Sequence, residues 1–161
     1  MPSITAFLHV TNDALRLGRA LETLRACDEI LIVDGGSCDG SLRLAREYGA
    51  RICAAQLGAS ASRYLAQARH EWVLCLEPRE SLSEGLEASL FEWKSSPLDS
   101  TAESKGFSVF LREETAEGWI KLPVPQVRLV PRNWAHFQGW RPMDGPSATV
   151  LDGELLRFLL P

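Results

Sequence analysis

The stretch from Asp28 to Ser41, DEILIVDGGSCDGS, constrains this chain more than any other. Ile30, Leu31, Ile32 and Val33 form a short apolar run of the kind that parallel strands show when both faces are covered. Asp34 follows where such a strand would leave the sheet, and Gly35 and Gly36 permit a tight, left-handed backbone there. Ser37 or Asp39 then caps a helix carrying Leu42, Ala45 and Tyr48. A buried strand ending in an acid, a small-residue turn and a helix start is the layout of a nucleotide site. About forty residues on, a second strand, Glu71 to Leu76, ends in Glu77-Pro78-Arg79-Glu80.

The first half repeats this rhythm. Ser3 to Val10 reads as a strand, and Asn12 or Asp13 caps a helix with Leu17, Leu21 and Leu24 at three- and four-residue spacing. A helix from about Asp39 to Tyr48, a strand at Arg51 to Ala54, a helix from about Ala59 to Ala68 and the strand Trp72 to Leu76 follow. Such alternation predicts a parallel sheet with helices on both faces and right-handed crossovers. Ser83 begins a further helix, with Leu86, Leu90 and Trp93 inward, that stops at Ser95-Ser96-Pro97. Leu98 to Lys105 reads as a linker. Beyond it Gly106 to Arg112 alternates as a strand, Trp119 to Leu122 is its hairpin partner, and Val127 to Val130 is another short strand. A loop-rich tail ends in the apolar Leu155 to Leu160. The expectation is one domain over 1–161, with a nucleotide-binding half at 1–94 and a β-rich half at 105–161.

A chain of 161 residues suits one domain, since folds of this size bury roughly two thirds of their extended surface. With 45% hydrophobic residues, 24% charged and a net charge of −4, it reads as globular and gives no reason to expect nucleic acid. No apolar run approaches the roughly 20 residues of a membrane span, and no signal peptide is evident. Cys27, Cys38, Cys53 and Cys75 lie far apart without metal-ligand spacing, which reads as reduced thiols in a cytoplasmic protein. Lys121, Arg128, Arg132 and Arg141 have no acidic neighbour between Trp119 and Met143. That face suits an anion or an anionic membrane surface, or is an ordinary solvated one.

Four landmarks resemble family 2 glycosyltransferases of the GT-A fold, most closely the small bacterial enzymes that build lipopolysaccharide cores. His9-Val10-Thr11-Asn12-Asp13 is similar to their TxNE-type turn, and Val33-Asp34-Gly35-Gly36-Ser37-Cys38-Asp39 to their VVDSGSxD. Ser62-Arg63-Tyr64 keeps the arginine of a QRN-type motif. Glu71 to Glu80 follows GDWVLFLDADE, with Glu77 and Arg79 where two aspartates stand. The likeness runs from Ile4 to about Leu86 and resumes weakly at Val127 to Gly139. It implies an α/β, GT-A-like (nucleotide-diphospho-sugar transferase) fold, a mostly parallel sheet with flanking helices and a small β-rich C-terminal part on the acceptor side.

The resemblance further implies a nucleoside diphosphate sugar as donor and a saccharide or lipid-linked hydroxyl acceptor, with the protein cytoplasmic and peripheral to the inner membrane face. Asn12, Asp13 and Asp34 become candidates for the nucleoside, and Arg63, Glu77 and Arg79 for the diphosphate. Each has a plainer role: Asn12, Asp13 and Asp34 as turn or helix caps, Arg63 as a surface side chain, Arg79 as a partner of Glu77 or Glu80. In such enzymes a divalent cation bridges the diphosphate to two carboxylates. Arg79 removes one ligand and adds positive charge, so no Mg²⁺ or Mn²⁺ cofactor is expected. Arg157 stands after Leu155-Leu156 where the family has a late histidine. The family's acceptor-side His-Glu pair is missing from Trp140 to Asp144, leaving Asp144 as the weak candidate for a general base, or a turn residue before Gly145. Two readings stay open: a donor-binding glycosyltransferase-like protein without its metal site, or a catalytically inactive binding or scaffold module that keeps the fold.

Overall fold

The computed structural model describes residues 2–96, 105–143 and 148–161. Asp144 and all but Lys105 of the linker expected from Leu98 to Lys105 lie outside the described residues. In the first half, β1 (Ile4–Val10), α1 (Ala14–Glu22), β2 (Glu29–Asp34), α2 (Ser41–Glu47), β3 (Arg51–Ala54), α3 (Ala61–Leu65) and β4 (Trp72–Cys75) alternate as the periodicity predicts. They are followed by β5 (Glu80–Leu82) and α4 (Glu84–Ser95). The second half supplies β6 (Phe107–Thr115), β7 (Gly118–Lys121), β8 (Gln126–Pro131), the two-residue strands β9 (Phe137–Gln138) and β10 (Arg141–Pro142), and β11 (Thr149–Arg157).

The main sheet runs β3-β2-β1-β4-β8-β6-β11-β5, with β7 added on β6. β3, β2, β1 and β4 are mutually parallel, the arrangement expected of strands joined by helical crossovers. Antiparallel pairing enters with β8, which lies between β4 and β6. The result is the mixed α/β architecture the sequence implies, helical half and β-rich half sharing one sheet.

Alternation along β1 explains the two-sided core. Ile4, Ala6, Leu8 and Val10 face α1 and α4, joining Leu17, Leu21, Leu86, Leu90 and Trp93. Phe7 faces the other way, with Leu31, Val33, Val73 and Cys75, under Tyr64 and Leu65 of α3. Successive side chains of a strand point to opposite faces, so a run apolar at every position must be covered on both. Burial pushes the Cys27 and Cys75 thiols up to about 12, where they behave as small apolar groups.

Four strands escape the sequence reading: β9 and β10 are two residues each, and the other two are β5 and β11. β5 is only three residues long, and β11 occupies much of the tail expected to be loop. Gly153 hides β11: the ladder with β6 shifts register between Val150 and Glu154, and Gly153 sits there at φ +91. The bulge breaks the two-residue period that would have exposed the strand. It also docks β11 on the start of α4, where Ser83 accepts a capping hydrogen bond from the Leu86 amide at 3.2 Å and another from the Glu154 amide at 3.0 Å.

Candidate functional site

The loops leaving β1 and β2 are stitched together by their own polar groups. Asn12 adopts φ 54, a left-handed conformation that Asn tolerates better than most residues. Its Oδ1 accepts the Cys38 amide at 2.7 Å, and its own amide donates to Ser37 Oγ at 3.1 Å. Asp13 is the first residue before α1 and makes no side-chain cap; its carboxylate accepts instead from the Thr11 amide at 2.9 Å. Asp34 Oδ1 accepts from the Ser37 and Gly36 amides at 2.9 and 3.2 Å. Burial raises the Asp34 pKa, but those donors and the nearby His9 outweigh it and leave the carboxyl below its ordinary range.

The two glycines of this turn do different jobs. Gly36 is left-handed, at φ +101. Gly35 is required by space: a Cβ there would meet Thr11 Oγ1 at 2.2 Å and His9 Nε2 at 3.0 Å. The Asp34 turn therefore closes directly against the end of β1.

Beside it opens a cleft of about 410 Å³. Its walls come from the carboxyl ends of β1 and β4 (His9, Cys75), the start of α1 (Asp13, Arg16), the turn Leu76 to Arg79, Arg128 of β8, and the β9–β10 hairpin (Gln138, Trp140, Arg141). Of the residues singled out by sequence, Asp13, Glu77 and Arg79 line it. Asn12 and Asp34 border it through the loop they brace. Arg63 is exposed on α3 and is not among the lining residues.

Sequence reasoning missed several of the walls. His9, which the sequence marks only as the head of the TxNE-like turn, lines the cleft and stacks on Trp140 with ring centroids 4.2 Å apart and planes 10° apart. Burial lowers the His9 pKa, although Asp13 and Asp34 pull the other way. Trp140 is also tilted against Phe7 and Tyr64, so the hairpin tip is anchored to the core. Arg16 carries no sequence signal, and Arg141 only that of the basic stretch between Trp119 and Met143, until the fold brings the two to one opening.

The turn after β4 rests on a buried ionic cluster. Glu80 is 0% exposed, and its carboxylate accepts from Arg128 Nη1 and Nη2 at 2.6 and 2.9 Å. Arg157 donates to the same oxygen, Glu80 Oε2, from Nη2 at 3.0 Å. Glu80 also receives the Glu77 amide at 2.8 Å, and Arg128 donates to the Cys75 carbonyl at 3.1 Å. Burial pushes the Glu80 carboxyl up, but the two guanidinium groups and the Glu77 amide override it and hold it below its ordinary value. This corrects the picture of Arg128 as part of an exposed cationic face: it is 2% exposed.

Glu77 itself is flanked by Arg79 Nε at 3.0 Å and Arg157 Nε at 3.7 Å. Among the described residues no group of three His, Cys, Asp or Glu side chains comes together to hold a metal ion. A divalent cation at Glu77 would meet two guanidinium charges and find no second carboxylate in its own turn, since Glu80 is turned inward and already saturated. The donor set here does not fit such an ion.

Over an alignment of 91 positions that covers 54% of the chain, it is 30% identical to 32% of an uncharacterized glycosyltransferase of Rickettsia felis. Forty-five residues, 28% of the chain, are 42% identical to 17% of the lipopolysaccharide core biosynthesis glycosyltransferase LpsC of Rhizobium meliloti. The chain is similar to glycosyltransferases. The resemblance drawn from its motifs is thereby borne out, and the matched stretch spans about a third or less of these glycosyltransferases' own length. No family model matches the chain. Among solved structures, glucosyl-3-phosphoglycerate synthase of Mycobacterium tuberculosis, in complex with Mn²⁺, uridine diphosphate and glucosyl-3-phosphoglycerate, overlaps 49% of this chain and 34% of its own, at 19% identity and a TM-score of 0.42. Staphylococcus aureus TarS overlaps 68% and 41%, at 16% identity and a TM-score of 0.44.

Proposed function

We propose that this glycosyltransferase-like chain binds a nucleoside diphosphate sugar in the cleft at the ends of β1 and β4, and that guanidinium groups rather than a divalent cation receive the diphosphate. The observation that carries this reading is the convergence of Arg16, Arg79 and Arg141 on the opening where Glu77 emerges from β4. Arg79 pairs only with the half-exposed Glu77, and Arg16 only with Asp13 at 3.5 Å, among the described residues. Partly exposed ion pairs of this kind are weak. A phosphate can displace the carboxylate from such a guanidinium and gain bidentate, charge-assisted hydrogen bonds.

In this reading residues 1–94 form the donor side and 105–161 the acceptor side of one GT-A-like domain. Asn12 and Asp34 shape the loop along the nucleoside, His9 and Trp140 offer a flat aromatic wall, and Arg63 stays outside the diphosphate contacts. Transfer would break the bond between the sugar and the diphosphate, with the arginines stabilising the departing anion, and would form a bond to an acceptor hydroxyl oxygen, whose proton passes to the departing diphosphate or to solvent.

The test is calorimetric titration with uridine, adenosine and guanosine diphosphates and their sugar forms, with Mn²⁺ or with chelator. Saturable binding of equal strength in both conditions is expected, weakened by Arg79→Ala by about 1.5–3 kcal/mol, the range of hydrogen bonds to charged groups. Binding that requires Mn²⁺ would overturn the metal-free part. No binding of any nucleotide would leave the inactive module as the correct reading.

A further inference from the structure

We infer that the free edge of β7 pairs with the same edge of a second copy of this chain, giving a two-fold symmetric dimer. Among the described residues β7 pairs only with β6. All four of its residues are exposed, including Trp119 at 40% and Ile120 at 49%. An open strand edge presents unpaired N–H and C=O groups, and proteins ordinarily blunt it; here it carries two large apolar side chains.

Which groups are open follows from the ladder. The Leu122 amide donates to the Leu111 carbonyl at 2.9 Å, in the same register as Arg112 opposite Lys121 and Glu113 opposite Ile120. Residues in an antiparallel pair alternate between facing the partner strand and facing away. The backbone groups of Gly118 and Ile120 therefore turn toward β6, and those of Trp119 and Lys121 turn outward. Glu117 uses its amide on Thr115 Oγ1 at 3.3 Å, leaving its carbonyl.

Two copies of this edge, related by a two-fold axis, match their outward groups when Trp119 lies opposite the second copy's Trp119. That register brings Glu117, the turn residue just before β7, beside Lys121 twice, once on each side of the axis. A slip of two residues in either direction puts Trp119 against a charge and loses both oppositions. Neither Glu117 nor Lys121 forms an ion pair with another described residue; Lys121 Nζ rests 4.5 Å from the centre of the Phe110 ring. Each charge is thus unmatched among the described residues of one chain and matched across the pair, and opposite charges facing each other across paired strands stabilise them. The contact is self-complementary and closes on itself. It stands whether or not the cleft takes a nucleotide.

Sedimentation velocity of the full chain across the micromolar range tests this. A concentration-dependent dimer is expected. Lys121→Glu, which sets glutamates against each other at both ends, should weaken it by at least about tenfold, and the double exchange Glu117→Lys with Lys121→Glu should restore it. Trp119→Pro removes an outward N–H without touching the β6 ladder and should abolish the dimer, with circular dichroism checking that each variant is folded. A wild-type chain monomeric throughout, or a dimer indifferent to these substitutions, overturns the proposal. So does a monomer that sediments with anionic phosphatidylglycerol vesicles, which would give the same apolar edge to a membrane.

Discussion

Burying Glu80 completely is tolerable because two guanidinium groups follow it inside. Arg128 comes from β8 and Arg157 from β11, 48 and 77 residues away in sequence, and both reach the carboxylate with hydrogen-bond geometry. Removing one partner of such a cluster leaves the others charged and dry, a larger loss than the cluster's own net contribution. Glu80→Gln should therefore cost about 3–5 kcal/mol, read as a lower urea midpoint, with an unchanged midpoint contradicting the account. The same substitution should loosen the turn carrying Glu77 and Arg79, because the Glu77 amide loses a charged acceptor. At this scale the sequence was readable only in part. Glu77 and Arg79 were recognisable from their place after a strand, whereas Glu80 looked like one more surface acid, since nothing local distinguishes a carboxylate that will be buried by residues from the far end of the chain.

Elements were more legible where their own pattern decided them. β1, α1, β2 and α4 announce themselves by apolar spacing and, for α4, by Ser83 as cap. β11 does not, because Gly153 interrupts its period. That glycine is needed for two separate reasons: its φ of +91 suits glycine, and an added Cβ would meet the Leu86 amide nitrogen at 2.1 Å. Backbone cannot move aside as a flexible side chain does. Gly153→Ala should destabilise the protein by about 2–4 kcal/mol, combining backbone strain with overpacking. Hydrogen exchange should show the loss concentrated in β11, β5 and the first turn of α4, since Ser83 and Glu154 bind each other there. A uniform loss, or none, would argue that the bulge is only a tolerated irregularity. β9 and β10, two residues each, lie below the length at which any periodicity can be read, yet they deliver Trp140 and Arg141 to the cleft.

Across the molecule, the response to acid follows from how its carboxylates are held. Asp28, Glu29, Asp34 and Glu80 are each pushed up by burial, and in each case hydrogen bonds and nearby cations win and lower the pKa. The folded chain then binds fewer protons than the unfolded one, so these groups contribute stability above their ordinary values of 3.8 and 4.5. That contribution is lost as pH falls through the lower, folded values. His9 acts with the same sign at higher pH: its folded value lies below 6.5, so below 6.5 the unfolded chain takes up a proton first. Urea unfolding across pH should show a shallow decline beginning near 6.5 and a steeper one below 4.5. His9→Gln should remove the first and spare the second. A stability that stays flat between 6.5 and 5 would count against a half-buried, neutral His9.

What the sequence determined alone is the local part of this protein: the alternation of strands and helices, the acid-and-glycine turn after β2, the placement of Glu77 and Arg79 after β4, and a likeness to glycosyltransferases carried by those same stretches. Each depends on spacing within a dozen residues, where side-chain period and backbone freedom speak directly. What only the tertiary structure decided is which groups meet. β8 inserting beside β4, and β11 joining β6 to β5, bring Arg128 and Arg157 to Glu80. The small β9–β10 hairpin likewise lays Trp140 on His9. Such encounters between charges and rings depend on chain topology rather than on neighbours in sequence, and the curl of one shared sheet is what turns scattered arginines into the wall of a cleft.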